Sequence, residues 1–163
     1  MSHLRPIVRS GGQTGVDRAA LDAALACGLT YEGWCPRGGW AEDLPAPPGL
    51  LALYPRLKET PGDDPDQRTE WNVRDSDLTF LLVPGAACAS PGTELTASFA
   101  RALKKPLFGF AVDSDTSVKA MAAVCKTMRG HVRLNIAGPR ESEHPGIYRT
   151  TRDLLARLFL ILA

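Results

Sequence analysis

Three short stretches put small residues, side-chain amides and charge together where a chain could grip an anion. They read "SGGQTG" (10–15), "SPGTE" (90–94) and "AGPRES" (137–142). The first carries Gly11, Gly12 and Gly15 with Ser10, Gln13 and Thr14 among them, just ahead of an Ala/Leu-rich run. A helix N-terminus presents unpaired N–H groups and partial positive charge, and small residues let an anion approach that backbone. Thr14 also stands three residues before Asp17, a capping-box spacing that would be purely structural. The cap accounts for Thr14 and Asp17 and leaves Gly11, Gly12 and Gln13 unexplained. The turn is neither the dinucleotide GxGxxG nor a phosphate loop ending in GK[ST].

Gly92 and Thr93 repeat the arrangement, with Thr93 placed to cap a helix. Glu94 in the first turn favours the helix dipole and would repel an anion held right there. Gly138–Pro139 forces a turn, after which Arg140 could fork a phosphate or pair with Glu141 or Glu143. Arg37, in "CPRGGWAED", has a similar placement, with Glu42 and Asp43 close behind. The stretch "DQRTEWNVRDSD" (66–77) has only Trp71 and Val73 as large apolar residues, too few for an ordinary core-facing stripe. Arg68, Asn72 and Asp75 share one face; Glu70 and Arg74 make an i,i+4 pair. It is either a surface helix held by Trp71 or a polar wall. In the second case Arg68 or Arg74 meets an anion and Asn72 or Asp75 a ring or hydroxyl.

The elements that must position these residues alternate between β-branched or aromatic runs and helical patterns. That alternation predicts an α/β chain, a three-layer doubly wound sandwich around a mainly parallel sheet of about five strands. Strands are expected at Leu4–Ser10, Thr30–Pro36, 78–83, Pro106–Val112 and His131–Ala137. Helices are expected at Val16–Cys27, Pro65–Asp75, Thr93–Lys104, Ser117–Arg129 and Gly146–Leu162. The first should bury Ala20, Leu21, Ala24 and Leu25; the second should be capped by Asp64, with Gln67 at capping-box spacing. "LTFLLV" (78–83) has no charge and no proline, so it should lie centrally, buried on both faces. Residues 37–63 are Pro/Gly-rich and read as one long irregular stretch. Ligands of such sheets sit beyond the carboxyl ends of the strands, where all three small-residue stretches would converge.

The 163 residues, 44% hydrophobic and 23% charged, suit one soluble domain spanning 1–163. A net charge of +1 gives no global field to attract nucleic acid or an anionic membrane. No apolar run approaches the ~20 residues of a membrane span, and no signal-peptide layout is present, so a cytoplasmic location is expected. Cys27, Cys35, Cys88 and Cys125 form no CxxC pair, and His3, His131 and His144 show no ligand spacing, so no metal site is expected. The apolar closing segment "LLARLFLILA" would suit packing on the sheet or a homodimer seam.

Taken together, "SGGQTGVDRAALDAAL", "GWCPRGGWAED", "YPRLKETP", "QRTEWNVRDSD" and "NIAGPRES" resemble the bacterial putative molybdenum carrier family. That family lies within a larger group of Rossmann-like nucleotide- and phosphate-ligand-binding proteins. The resemblance runs over nearly the whole chain. It implies the sandwich fold and a role in holding molybdenum cofactor (molybdopterin), a phosphate-bearing pterin. It assigns ligand binding to the turn residues Ser10, Gly11, Gly12, Gln13, Thr14 and Gly15, and to Arg37, Glu70, Asn72 and Arg74. Gly92, Thr93, Gly138 and Arg140 complete the set. The sequence departs from the family at Leu44, with its proline-rich spacer, and at "GAACASPGTELT", which has one glycine before its threonine where relatives often have two.

A competing resemblance is to phosphoribohydrolases of the lysine decarboxylase-like group and to nucleoside deoxyribosyltransferases, which cleave N-glycosidic bonds. Those use a GTxxE pattern whose carboxylate acts at the anomeric carbon. Here the pattern reads Gly92-Thr93-Glu94-Leu95-Thr96, so a hydroxyl takes the carboxylate's position. Glu94 comes two residues early, about 200° around the helix. A non-hydrolytic carrier is therefore expected, with no catalytic residue assigned. Hydrolysis using Glu70 or Asp75, or sensing of a nucleotide derivative, are the alternatives. A Gly12→Val change is expected to block the cradle and spare the fold.

Overall fold

The computed structural model describes residues 4–85 and 90–163. Cys88 and His3 lie outside the described residues. The elements in chain order are β1 (Ile7–Arg9), α1 (Val16–Ala26), β2 (Tyr31–Glu32), β3 (Trp34–Cys35), a 3-10 turn (Arg37–Gly39), α2 (Leu50–Leu53), β4 (Lys58–Glu59) and α3 (Pro65–Arg74). They continue with β5 (Leu78–Val83), α4 (Pro91–Ala102), β6 (Leu107–Ala111), α5 (Asp115–Thr127), β7 (Arg133–Ala137) and α6 (Ile147–Leu162). Five strands form one sheet in the order β2-β1-β7-β5-β6, and every pairing in it is parallel. Helices α1, α5 and α6 pack together as one layer and α3 and α4 as the other. This is the Rossmann-like three-layer sandwich that the alternating pattern predicts.

The middle of the sheet is the driest part. Leu78, Phe80 and Leu82 of β5 and Leu134 and Ile136 of β7 are fully buried. β5 pairs with β6 on one side and β7 on the other, so its uncharged sequence matches a strand covered on both faces. On α1, Ala20, Leu21 and Ala24 are buried as expected, whereas Leu25 is 51% exposed. Among the described residues no helix is long and apolar enough to cross a membrane.

Five local expectations are corrected. The run Thr30–Pro36 is two strands, not one. Gly33, at φ +149, separates them, and a Cβ there would run into the carbonyl of Ser10. β2 therefore stays beside β1, while β3 leaves to pair in parallel with β4 in a two-stranded sheet of its own. The stretch 37–63 is not structureless: it holds the 3-10 turn, α2 and β4, and it drives Leu50 and Leu57 into the core. Thr14 and Asp17 form no capping box, since α1 starts at Gly15 with no side-chain cap. Helix α4 begins at Pro91 rather than Thr93, and Ser90 caps it by accepting the Thr93 N–H at 3.2 Å. At α3 the expected Asp64 cap is present, accepting from the Asp66 N–H at 2.9 Å; Gln67 accepts from Gly62 N–H instead of closing the box.

Candidate functional site

A crevice of about 500 Å³ opens at the carboxyl ends of β1 and β7, walled by α3 and by the start of α4. Gly11, Gln13 and Asp17 line it from the first turn, Ser90 and Gly92 from the second, and Gly138 and Arg140 from the third. The three stretches singled out by composition thus meet on one cavity, as a parallel sheet brings its βα loops to one edge. Its volume falls in the ~300–1,000 Å³ range usual for small-molecule sites.

The floor is organised around Asp17. Its Oδ2 accepts from Arg68 Nη1 at 3.0 Å and from the Gln13 N–H at 3.4 Å. Both side chains of this ion pair are nearly buried, at 11% and 7% exposure. Burial pushes the Asp17 carboxyl above the ordinary carboxylate range, and the Arg68 guanidinium opposes that rise without cancelling it. Gly11 is needed for this geometry, because a Cβ there would overlap Arg68 Nη1 and lie 3.0 Å from Asp17 Oδ2. Asn72, also on the crevice wall, fixes α3 to β3 by accepting from Trp34 N–H and donating to Trp34 O, both at 2.9 Å. Trp34 Nε1 donates to Asp75 at 2.8 Å, and its ring meets Trp71 edge-on at 4.8 Å.

The 10–15 turn does not offer an open row of backbone amides. Gly12 N–H donates to Ser10 Oγ, Thr14 N–H to Gln13 Oε1, and the first helical N–H, of Val16, to Pro139 O. Ser10 is fully buried and donates in turn to Asp17 O, so it braces the turn. What the turn presents to the crevice is Gly11 and the Gln13 side chain.

The remaining sequence candidates divide by position. Gly92, Gly138, Asn72 and Arg140 line the crevice. Thr93 is buried behind it with its hydroxyl against Ser90. Thr14 and Gly15 face a separate, larger hollow of about 730 Å³ between α1 and α6, where Thr14 donates to Glu42 and accepts from the Glu141 N–H. That hollow shares only the first and third small-residue stretches, with Thr14–Gly15 and Glu141–Ser142 on its wall, whereas all three meet on the crevice. Hydrogen bonds from Thr14 and Ser142 hold the Glu42 carboxyl below its usual range, although burial opposes them. Arg37 is exposed on the 3-10 turn. Glu70 and Arg74 are not on the crevice wall; Arg74 pairs with Asp75 at 2.7 Å and lies over the Trp71 ring at 4.5 Å.

Crevice residues absent from the candidate set include Asp17, Arg68, Ser90 and Asn135. Asn135 carried a readable signal, a polar residue between Leu134 and Ile136 inside a strand; its Nδ2 donates to Thr79 Oγ1 at 3.2 Å. Arg68 was one of two arginines on α3 with equal claims, and only the fold separates it from Arg74.

Gly12 turns its α-carbon toward the core, not the crevice. Its φ is +75, and a Cβ would sit 3.0 Å and 3.2 Å from the Leu50 and Leu57 methyls. Gly12→Val is therefore expected to cost about 2 kcal/mol or more of stability, replacing the earlier expectation that the fold is spared. Thermal denaturation measures it, and an unchanged melting temperature would count against this placement.

A family model described as the circularly permutated YpsA SLOG family matches residues 8–159. The crystal structure of a putative molybdenum carrier protein from Syntrophus aciditrophicus SB superposes with a TM-score of 0.79 at 39% identity. The match covers 97% of this chain and 96% of that one. No curated protein sequence matches.

Proposed function

Because the chain belongs to the circularly permutated YpsA SLOG family, we propose that it carries a phosphate-bearing small molecule in this crevice without cleaving it. The observation that carries the reading is the meeting of Arg140 and the N-terminus of α4 on one cavity at the sheet's carboxyl edge, with Arg68 held by Asp17 at its floor. A guanidinium group and a helix N-terminus together favour an anionic oxygen cluster. The likeness to a putative molybdenum carrier makes molybdenum cofactor the leading cargo. The crevice residues suit a phosphate-bearing pterin: Arg140 at the mouth, Pro65, Leu95 and Ile136 as apolar wall for a flat ring, and amide side chains at the floor.

Several features speak for carriage over hydrolysis. The Thr96 hydroxyl, at the position a catalytic carboxylate would take, donates to Gly92 O at 2.9 Å. Glu94 is exposed and neither it nor Glu70 lines the crevice. Asp17, Asp66 and Glu143 do line it; Asp17 is held by Arg68, and Glu143 accepts from the Arg140 N–H and pairs with its guanidinium.

The expected result is micromolar or tighter binding of molybdopterin or a nucleoside monophosphate by calorimetry, with no base released on prolonged incubation. Arg140→Ala should weaken that binding about tenfold or more while leaving the melting temperature unchanged, since Arg140 sits on the surface of the fold. Sustained release of base, or binding indifferent to Arg140, would overturn the proposal. Mass spectrometry of protein purified under anaerobic conditions would identify the cargo directly.

A further inference from the structure

The anion-binding end of the crevice leaves the other end unassigned, and there the structure holds an unsatisfied donor. Gln13 is 4% exposed, and its Oε1 accepts two backbone N–H groups, from Thr14 and from Glu42, both at 3.0 Å. Two donors converging on one amide atom fix that atom as the oxygen, so the orientation of the side chain is settled by its partners. Its Nε2 is then a buried NH₂ with no acceptor among the described residues. Arg68, across the same Asp17 oxygen, likewise has a buried Nε without a partner. Buried polar groups are nearly always paired, so an unpartnered donor in a side chain that lines a cavity calls for an acceptor from outside the protein.

The chemistry of that atom follows. Both unsatisfied groups are donors, so the ligand must supply an acceptor. The Asp17–Arg68 pair is close to neutral overall, and the Asp17 carboxylate beside Gln13 disfavours a second anion. A carbonyl oxygen or a ring nitrogen meets both conditions. Resting on the proposal of a phosphate-bearing cargo, the geometry points to Gln13 as a specificity-determining residue. Its Nε2 reads a neutral acceptor on the ring of a heterocyclic phosphoester, while the phosphate sits toward Arg140 and α4. A site built to hydrogen-bond one group discriminates strongly against the analogue that lacks it.

Gln13→Glu tests this with little change of shape. One carboxylate oxygen can still accept from Thr14 and Glu42, while the donor becomes an acceptor. The intact chain, wild type and variant, is titrated with ribose 5-phosphate, inosine 5′-monophosphate and indole riboside 5′-phosphate. The last keeps a flat bicyclic ring and has neither a carbonyl nor a ring nitrogen free to accept. Wild-type protein should prefer the inosine compound over the indole compound by about tenfold or more. Gln13→Glu should abolish that preference, read as the ratio of the two ring-compound affinities, while ribose 5-phosphate reports separately any general loss from the added charge. Equal affinity of wild-type protein for the two ring compounds overturns the assignment, and this arm stands even if the variant does not fold. So does a preference that survives in a folded Gln13→Glu. Failure of all three phosphoesters to bind removes the phosphate-carrier proposal itself and this inference with it, a pattern distinct from loss of the ring preference alone.

Discussion

Arg68→Met is expected to destabilise the protein by about 3–5 kcal/mol at neutral pH, because it strands the Asp17 carboxylate in a nearly dry site. The size of the effect comes from desolvation, not from losing one 3.0 Å contact. Asp17 already has its pKa raised in the folded protein, and removing the guanidinium raises it further. A carboxyl whose folded pKa exceeds its unfolded value favours the fold when protonated, and that advantage is lost as pH rises through the folded pKa. The deficit of Arg68→Met should therefore be largest at neutral pH and shrink on acidification. Asp17→Asn combined with Arg68→Met should recover part of the loss, since neither charge then remains buried. Urea denaturation of the two variants at two pH values measures both features. A deficit below about 1 kcal/mol, in the range of exposed pairs, would mean that the pair is far better solvated than its burial indicates.

The second large effect concerns two glycines that look equivalent in the sequence. Gly138→Ala is expected to cost about 3 kcal/mol, since the added Cβ would overlap the backbone carbonyl of Leu82 and lie 2.7 Å from Val16 Cγ2. A backbone oxygen of β5, a strand paired on both sides, cannot step aside as a flexible side chain can. Gly92→Ala, by contrast, meets nothing within 4 Å in the first turn of α4. It should leave stability unchanged or raise it by up to about 1 kcal/mol, the ordinary helical preference for alanine. If the pair of melting temperatures came out equal, the close approach of β7 to β5 at Gly138 would be wrong.

Much of the architecture could be read from local pattern because local physics dictates it. β5 was evident from six residues without charge, and α1 and α6 from their apolar faces. Asp64 was readable as a cap because proline follows it at the first helical position. Non-local facts were not readable. Nothing near Gly33 says that the Ser10 carbonyl will press against it, so the break between β2 and β3 was invisible. The convergence of the three small-residue stretches follows from parallel strands, but their division of labour does not. Composition put the interest of the first turn in its amides, whereas those of Gly12, Gln13 and Thr14 bond within the protein and the Gln13 side chain carries the unsatisfied donor. Arg68 and Arg74 differ in sequence only by helical phase, and it is their partners, Asp17 for one and Asp75 and Trp71 for the other, that set them apart.

The strand order has a consequence for how the chain must assemble. β7, which follows β1, β2, β5 and β6 in the chain, lies between β1 and β5. Until it arrives, the sheet is two separate pairs, β1 with β2 and β5 with β6, each with an inner edge open to mispairing. Closure of the sandwich is thus a late insertion that joins residues more than 120 positions apart, Ile7 with Arg133 among them. Contacts so distant along the chain form slowly, which gives a chaperone a defined half-sheet to guard during synthesis.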